Sequence, residues 1–244
     1  MRKYPVVLVF VLLSVIYASH ALAAASKGEE AVYVANFDYT PSSQETPGSA
    51  GVTFAIANVS FESNSFTPWP TWPQFANLDT AIKQDLNKLL AAKGFTVRGP
   101  FDSYDLIPYQ DKKAIDLYAM PKLELSVVQK SNGSTLKISG KLTLVLKEVV
   151  TGELMWSKTT PLSEFDFPIT WATAKWGKGL PWEKITAGTE APIADMDVEP
   201  RNDMAKGIEK QYPELMATIS KLIDPEEMRI IKKQCQELKS KKGY

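Results

Sequence analysis

Two residue types that carry much of protein chemistry are nearly missing from this chain of 244 residues: it has one histidine, His20, and one cysteine, Cys235. A single cysteine permits no intramolecular disulfide, so the fold must be held by packing. His20 lies in an N-terminal segment expected to be removed. Without it the chain lacks the usual general base, the usual activator of a serine or cysteine nucleophile, and the commonest metal ligand. Ser-His-Asp chemistry, Cys-His chemistry and His-based zinc sites are thereby excluded, and no catalytic residue, metal ligand or cofactor is expected. An excess of either charge is also missing, with 28 basic residues against 28 acidic ones. A near-neutral chain has no electrostatic footprint for nucleic acid and no broad attraction to anionic lipid. The apolar run at residues 6–17, interrupted by Ser14, falls short of the roughly 20 residues of a transmembrane helix.

That run does have the parts of a secretory signal peptide. Arg2 and Lys3 form a basic head, the apolar core follows, and Ala21-Leu22-Ala23-Ala24 supplies an A-x-A cleavage site. Residues 1–23 are therefore expected to direct export across the inner membrane, to the periplasm, outer membrane or cell surface; an uncleaved anchor is the alternative. Cleavage leaves 244 − 23 = 221 residues, enough for one domain with a substantial core and with no integral span. No cysteine stands near the cleavage site, which excludes lipid attachment there.

Residues 24–51 read as a leader holding a possible first strand (31–39) and a polar Pro/Gly/Ser loop (40–51). An α/β domain is expected over 52–223. It opens with a strand at 52–59, apolar on both faces and so interior. A helix over 73–93 has Phe75, Leu78, Ile82, Leu86 and Leu89 in one stripe, and Gly94 sits where a left-handed cap belongs. A short strand at 95–98 and a helical turn at 103–113 come next. Strands at 115–128 and 134–150 are joined by Asn132-Gly133, a type I′ signal, and a turn at Thr151-Gly152 leads into a third strand at 153–160. Residues 165–190 read as an irregular aromatic segment and 191–201 as an acidic loop. Met204, Ile208, Tyr212, Leu215, Ile219 and Leu222 mark a helix in which Pro213 forces a kink or a new start. Asp224-Pro225-Glu226-Glu227 opens a last helix, followed by a basic tail, over 224–244. The fold class is α+β: a mixed, largely antiparallel sheet with a strand-helix-strand N-terminal half, a three-stranded meander, and C-terminal helices packed on the sheet.

Trp69 and Trp72 in one Pro-rich loop, and Trp171, Trp176 and Trp182 in another, are the candidate ligand- or partner-binding residues, since loop tryptophans stack on sugars or anchor proteins. The competing reading makes them lids over the core. Asp195-x-Asp197-x-Glu199 has the opening of a calcium loop without its glycine or its distant glutamate. Asp102, Asp105, Asp111 and Asp116 are the acids from which a carboxylate-based glycan hydrolase would draw its pair, although their spacing selects none. Met228, Ile231, Cys235 and Leu238 form a stripe that packs on its own domain or makes a dimer seam.

Several stretches resemble the neuraminyllactose-binding hemagglutinin family of bacterial outer-membrane and flagellar-sheath adhesins. They are DLNKLLAAKGFTVR at 85–98, Asp111-Lys112-Lys113 leading into 115–125, LTLVLKEVVTGELMW at 142–156 with Pro161-Leu162-Ser163-Glu164, and the closing KQCQELKSKK. The resemblance implies a surface or periplasmic α/β adhesin with sialylated glycans or an envelope protein as partner. This chain departs from it in lacking an N-terminal lipidation cysteine, and in lacking the family's basic sialic-acid segment near 129–134, so no sugar-binding residue carries over. The order of elements is also similar to curli-secretion lipoproteins and penicillin-binding-protein activators. Taken together, the expectation is a non-enzymatic envelope binding protein, with an assembly factor of an outer-membrane or flagellar machine as alternative and the glycan hydrolase third.

Overall fold

The computed structural model describes residues 31–42, 44–46, 48–63, 69–99, 101, 103–130, 135–168, 174–175, 195–196 and 198–243. The chain divides into units 1–32 and 33–244; the architecture below is that of the second. The signal-peptide segment lies outside the described residues.

Strand β1 (Thr53–Ile56) lies parallel between β3 (Thr96–Arg98) and β4 (Leu117–Gln129). Helix α1 (Leu78–Ala92) provides the crossover from β1 to β3. As its two-faced pattern predicts, β1 is covered on both sides: Phe54 and Ile56 enter the main core, whereas Ala55 enters a second, smaller cluster. The strand stops at Ile56, short of the expected 59, and the chain re-enters the sheet as β2 (Ser60–Ser63), parallel to the second half of β4. Pro121 sits at this handover, with β1 paired as far as Ala119 and β2 starting at Lys122; a residue without an amide hydrogen is least costly where a ladder is already interrupted. Strands β5 (Thr135–Glu148) and β6 (Leu154–Pro168) complete the antiparallel meander, giving the order β3-β1-β4-β5-β6 with β2 beside β4.

Alternation along the strands sends Leu117, Ala119, Leu123, Leu125 and Val127 of β4, and Leu136, Ile138, Leu142, Leu144 and Leu146 of β5, to one face. Three helices bury their stripes against that face: α1, α3 (Val198–Leu222) and α4 (Pro225–Lys241). The other face is covered at one end only. There Ile107 and Ile115, on either side of the short α2 (Tyr109–Ala114), pack on Ala55, Ala57, Tyr118 and Val149.

Local chemistry sets the helix ends as the sequence predicts. Gly94 adopts φ 77° behind α1. Asp224 Oδ1 accepts from the amides of Glu226 (2.7 Å) and Glu227 (3.2 Å), capping α4, and Pro225 takes the first position. Met228, Ile231 and Cys235 are buried in the chain's own core, so that stripe is already used and offers no dimer seam.

Several expectations change. Residues 31–39 form no strand. Ala35, Phe37 and Tyr39 are buried in alternation, but the segment's amides bond to the Gln74 carbonyl and Asn202 Oδ1, not to a neighbouring strand. Strand β6 runs eight residues past its expected end, because residues 165–168 still pair with 135–138 of β5 and Phe167 still points into the core. The expected acidic loop contains β8 (Asp195–Met196), paired with β7 (Ala174–Lys175), and Val198 already opens α3. Helix α3 continues through Pro213, which is exposed. Asn132-Gly133 lies outside the described residues, although Lys130 N–H donates to the Thr135 carbonyl at 2.9 Å where the β4–β5 hairpin closes.

Candidate functional site

The structure places Trp69 and Trp72 in the core, 0% and 4% exposed. They belong to two short 3₁₀ turns, Trp69–Thr71 and Pro73–Phe75, in which Trp72 N–H donates to the Trp69 carbonyl and Phe75 N–H to the Trp72 carbonyl. The Trp69 ring meets Phe61 and Phe75 edge-on, each at 5.4 Å; the Arg201 guanidinium lies 4.9 Å from the Trp72 ring. A ring enclosed in this way has no face left for a sugar, so these two residues are withdrawn from the candidate site. Trp171, Trp176 and Trp182 lie outside the described residues.

The acids of the hydrolase reading are dispersed. Asp111 pairs with Arg98 at 2.8 Å. Asp116 is buried, accepting from Thr53 N–H at 2.9 Å and facing Lys232 at 3.2 Å. Asp105 is exposed, and Asp102 lies outside the described residues, as does Asp197 of the calcium-like motif. Among the described residues no group of three His, Cys, Asp or Glu side chains is placed to hold a metal ion.

A different constellation gathers on the sheet face that the helices leave bare. Beyond the reach of α2 the outward positions of β2, β4 and β5 are polar, and they enclose a cleft of about 400 Å³ lined by Glu62, Ser63, Glu124, Leu125, Ser126, Ser139, Gly140 and Lys141. Gly140 forms part of its floor. A Cβ there would come within 2.6 Å of the Glu124 carbonyl and of Leu125 Cδ2, so the close approach of β5 to β4 requires glycine. Beside it β6 bulges, since Ile138 pairs with Phe165 but Gly140 with Leu162.

The charges of the cleft balance internally. Lys122 Nζ bridges Glu62 (2.7 Å) and Glu124 (3.1 Å), and Lys141 Nζ reaches Glu124 at 2.9 Å. Hydrogen bonds from Lys141 and then Lys122 hold the Glu124 carboxyl below the usual carboxylate range. Those from Glu62 and Glu124 hold the Lys122 ammonium above its ordinary value. The result is a neutral, hydroxyl-bearing recess with donors and acceptors fixed in alternation. Such a surface hydrogen-bonds a polyhydroxyl or polar peptide ligand. It is poorly suited to glycoside hydrolysis, which needs one carboxyl kept protonated, whereas Glu124 is pushed the other way. Sequence reasoning missed this site. The signal was present as alternating Glu124/Ser126 and Ser139/Lys141, but only the strand register brings those pairs together, through Glu124↔Lys141 and Ser126↔Ser139.

The arrangement as a whole, a mixed sheet with helices on one face and a polar recess on the other, is that of a non-covalent binding domain. The same fold is seen in a neuraminyllactose-binding hemagglutinin homolog from Helicobacter pylori, with a TM-score of 0.57 and 16% identity over 84% of this chain and 99% of that one. Weaker matches are a protein from Xanthomonas campestris (TM-score 0.39, 10% identity, 85% of this chain and 99% of that one) and a lipoprotein from Neisseria meningitidis (0.32, 10%, 48% and 83%). At these identities the likeness is one of fold. No protein-family model matches the chain, and comparison with curated proteins finds no match.

Proposed function

We propose that this chain is an exported cell-envelope binding protein, adhesin-like and without catalysis of its own, which recognises a hydroxyl-rich ligand, a glycan or a polar segment of an envelope protein, in the cleft between β2, β4 and β5. The observation that carries this reading is the uncovered outer face, where Ser63, Ser126 and Ser139 converge with an internally neutralised Glu62/Lys122/Glu124/Lys141 network. The basic-apolar-small N-terminus supports export, and the fold shared with a hemagglutinin homolog supports a binding role. Because the charges of the cleft cancel, neutral sugars are favoured over sialylated ones for this recess.

A glycan array paired with a cell-adhesion assay is the direct test. Ser126→Ala with Ser139→Ala should weaken binding with an unchanged melting temperature, and binding indifferent to both would remove the cleft from the account. Ion pairs along the same face, Lys137–Glu164 and Lys130–Asp166, extend it into a long polar surface. That favours one second reading, an assembly factor docking on an outer-membrane or flagellar machine. Crosslinking in intact cells would yield a stoichiometric partner on that reading, with arrays uniformly negative.

A further inference from the structure

The balance of charge over the whole chain conceals a local imbalance at the end of the molecule where α2 meets the last turn of α4. Leu106 and Tyr109 are 64% and 56% exposed there, among the few large apolar side chains left outside the core. Both belong to the segment that covers one end of the sheet, so their backbone is anchored by the buried Ile107 and Ile115 while their side chains stand in solvent. Lysines surround them. Lys112 Nζ lies 4.0 Å from the Tyr104 ring and Lys113 Nζ 4.8 Å from the Tyr109 ring. Lys239 donates to the Ile115 carbonyl at 2.6 Å and lies 3.4 Å from the carbonyls of Lys112 and Lys113, which draws the end of α4, with Lys241 and Lys242, alongside α2. The nearby acids are largely committed: Glu148 is buried against Lys239, and Asp111 is paired with Arg98. Exposed Asp105 stands against Lys112, Lys113, Lys241 and Lys242, none of which has a carboxylate partner among the described residues.

We infer that this patch seats the protein on a bilayer surface bearing anionic lipid, with Leu106 and Tyr109 entering the headgroup region and the four lysines facing lipid phosphates. The chemistry selects that partner. An exposed leucine and an amphipathic tyrosine ringed by flexible cations is the pattern of an interfacial anchor, and each lysine near an anionic leaflet strengthens binding about fivefold. The surface is separate from the β2–β4–β5 cleft, so ligand and membrane could be held together.

Vesicle co-sedimentation tests the inference. Every core residue lies beyond position 32, so the chain beginning at Ala24 keeps the fold and avoids the apolar N-terminus. It should pellet with phosphatidylcholine vesicles containing about a quarter phosphatidylglycerol and not with phosphatidylcholine alone, and should be released as salt screens the lysines. Leu106→Ser with Tyr109→Ser should abolish pelleting, and Lys112→Ala with Lys113→Ala should weaken it about 30-fold. Ile230→Ser, equally exposed on α4 at 60%, should change nothing. All four positions outside the core leave melting unchanged, and glycan binding in the cleft should be unaffected. Equal pelleting with neutral vesicles, variants that bind like the parent, or binding to a soluble polyanion with none to vesicles would each overturn it.

Discussion

Tyr212→Phe removes one oxygen from the centre of the protein and should be expensive. The Tyr212 hydroxyl donates to Asp85 Oδ2 at 2.8 Å, and both residues are 1% exposed. Phenylalanine keeps the edge-on contact with Phe37 at 5.4 Å, so packing is preserved and the loss isolates the hydrogen bond. A bond to a charged acceptor contributes about 2 kcal/mol. The remaining partner of Asp85, Lys88 at 2.8 Å, is about half exposed and its help is screened by solvent. For a unit of this size about 2 kcal/mol corresponds to a fall in Tm of roughly 4–8 °C. The same substitution has a signature at alkaline pH. Burial first, then Asp85, raises Tyr212 well above the 10.0 of a free tyrosine. Above about pH 10 the unfolded chain has released that proton while the native chain retains it, so stability falls with rising pH, by up to about 1.4 kcal/mol per pH unit for this group. Below that range the tyrosine is protonated in both states and contributes no slope. Urea unfolding at a series of pH values should therefore show Tyr212→Phe less stable near neutrality and less steeply destabilised in alkali, with Tyr118, also raised chiefly by burial, supplying part of the residual slope. A cost under about 0.5 kcal/mol, or an unchanged alkaline slope, would refute the reasoning.

Trp69→Ala should cost about 3–5 kcal/mol, with any loss of ligand binding explained by unfolding, as measured by denaturant melts beside binding assays. The Cys235 thiol, pushed up to about 12 by burial and then by Glu148 and Asp116, should resist alkylation in the native protein and react only on unfolding; non-reducing electrophoresis should show no disulfide-linked dimer. Asp224→Ala should remove the α4 cap and cost about 1 kcal/mol, with Asp224→Asn largely restoring it.

The parts of the fold that could be read from the chain are those set by local periodicity and by residues with one conformational use. The α1 stripe, Gly94, Asp224-Pro225 and the meander are of that kind. What escaped depended on partners distant in sequence. Residues 31–39 alternate like a strand, but the alternation is satisfied by helices, since Ala35 N–H goes to Gln74 and Tyr33 N–H to Asn202, 169 residues away. The tryptophans of the Pro-rich turns looked like a binding surface because proline and tryptophan in a loop say nothing of what packs over them. The cleft was invisible for the opposite reason: its serines and carboxylates are ordinary outward strand positions until register aligns them, and the need for glycine at 140 arises only from the Glu124 carbonyl opposite.

Strand β6 borders no further strand among the described residues, and it is fifteen residues long. A straight edge of that length would template copies of itself, and unchecked growth of that kind ends in fibres. Two bulges, at Met155 and at Ser163-Glu164, together with Pro161 and the exposed Lys158, spoil its regularity. The sheet therefore ends where it does because its outermost strand is a poor template, which suits a protein that must stay dispersed while it samples other surfaces.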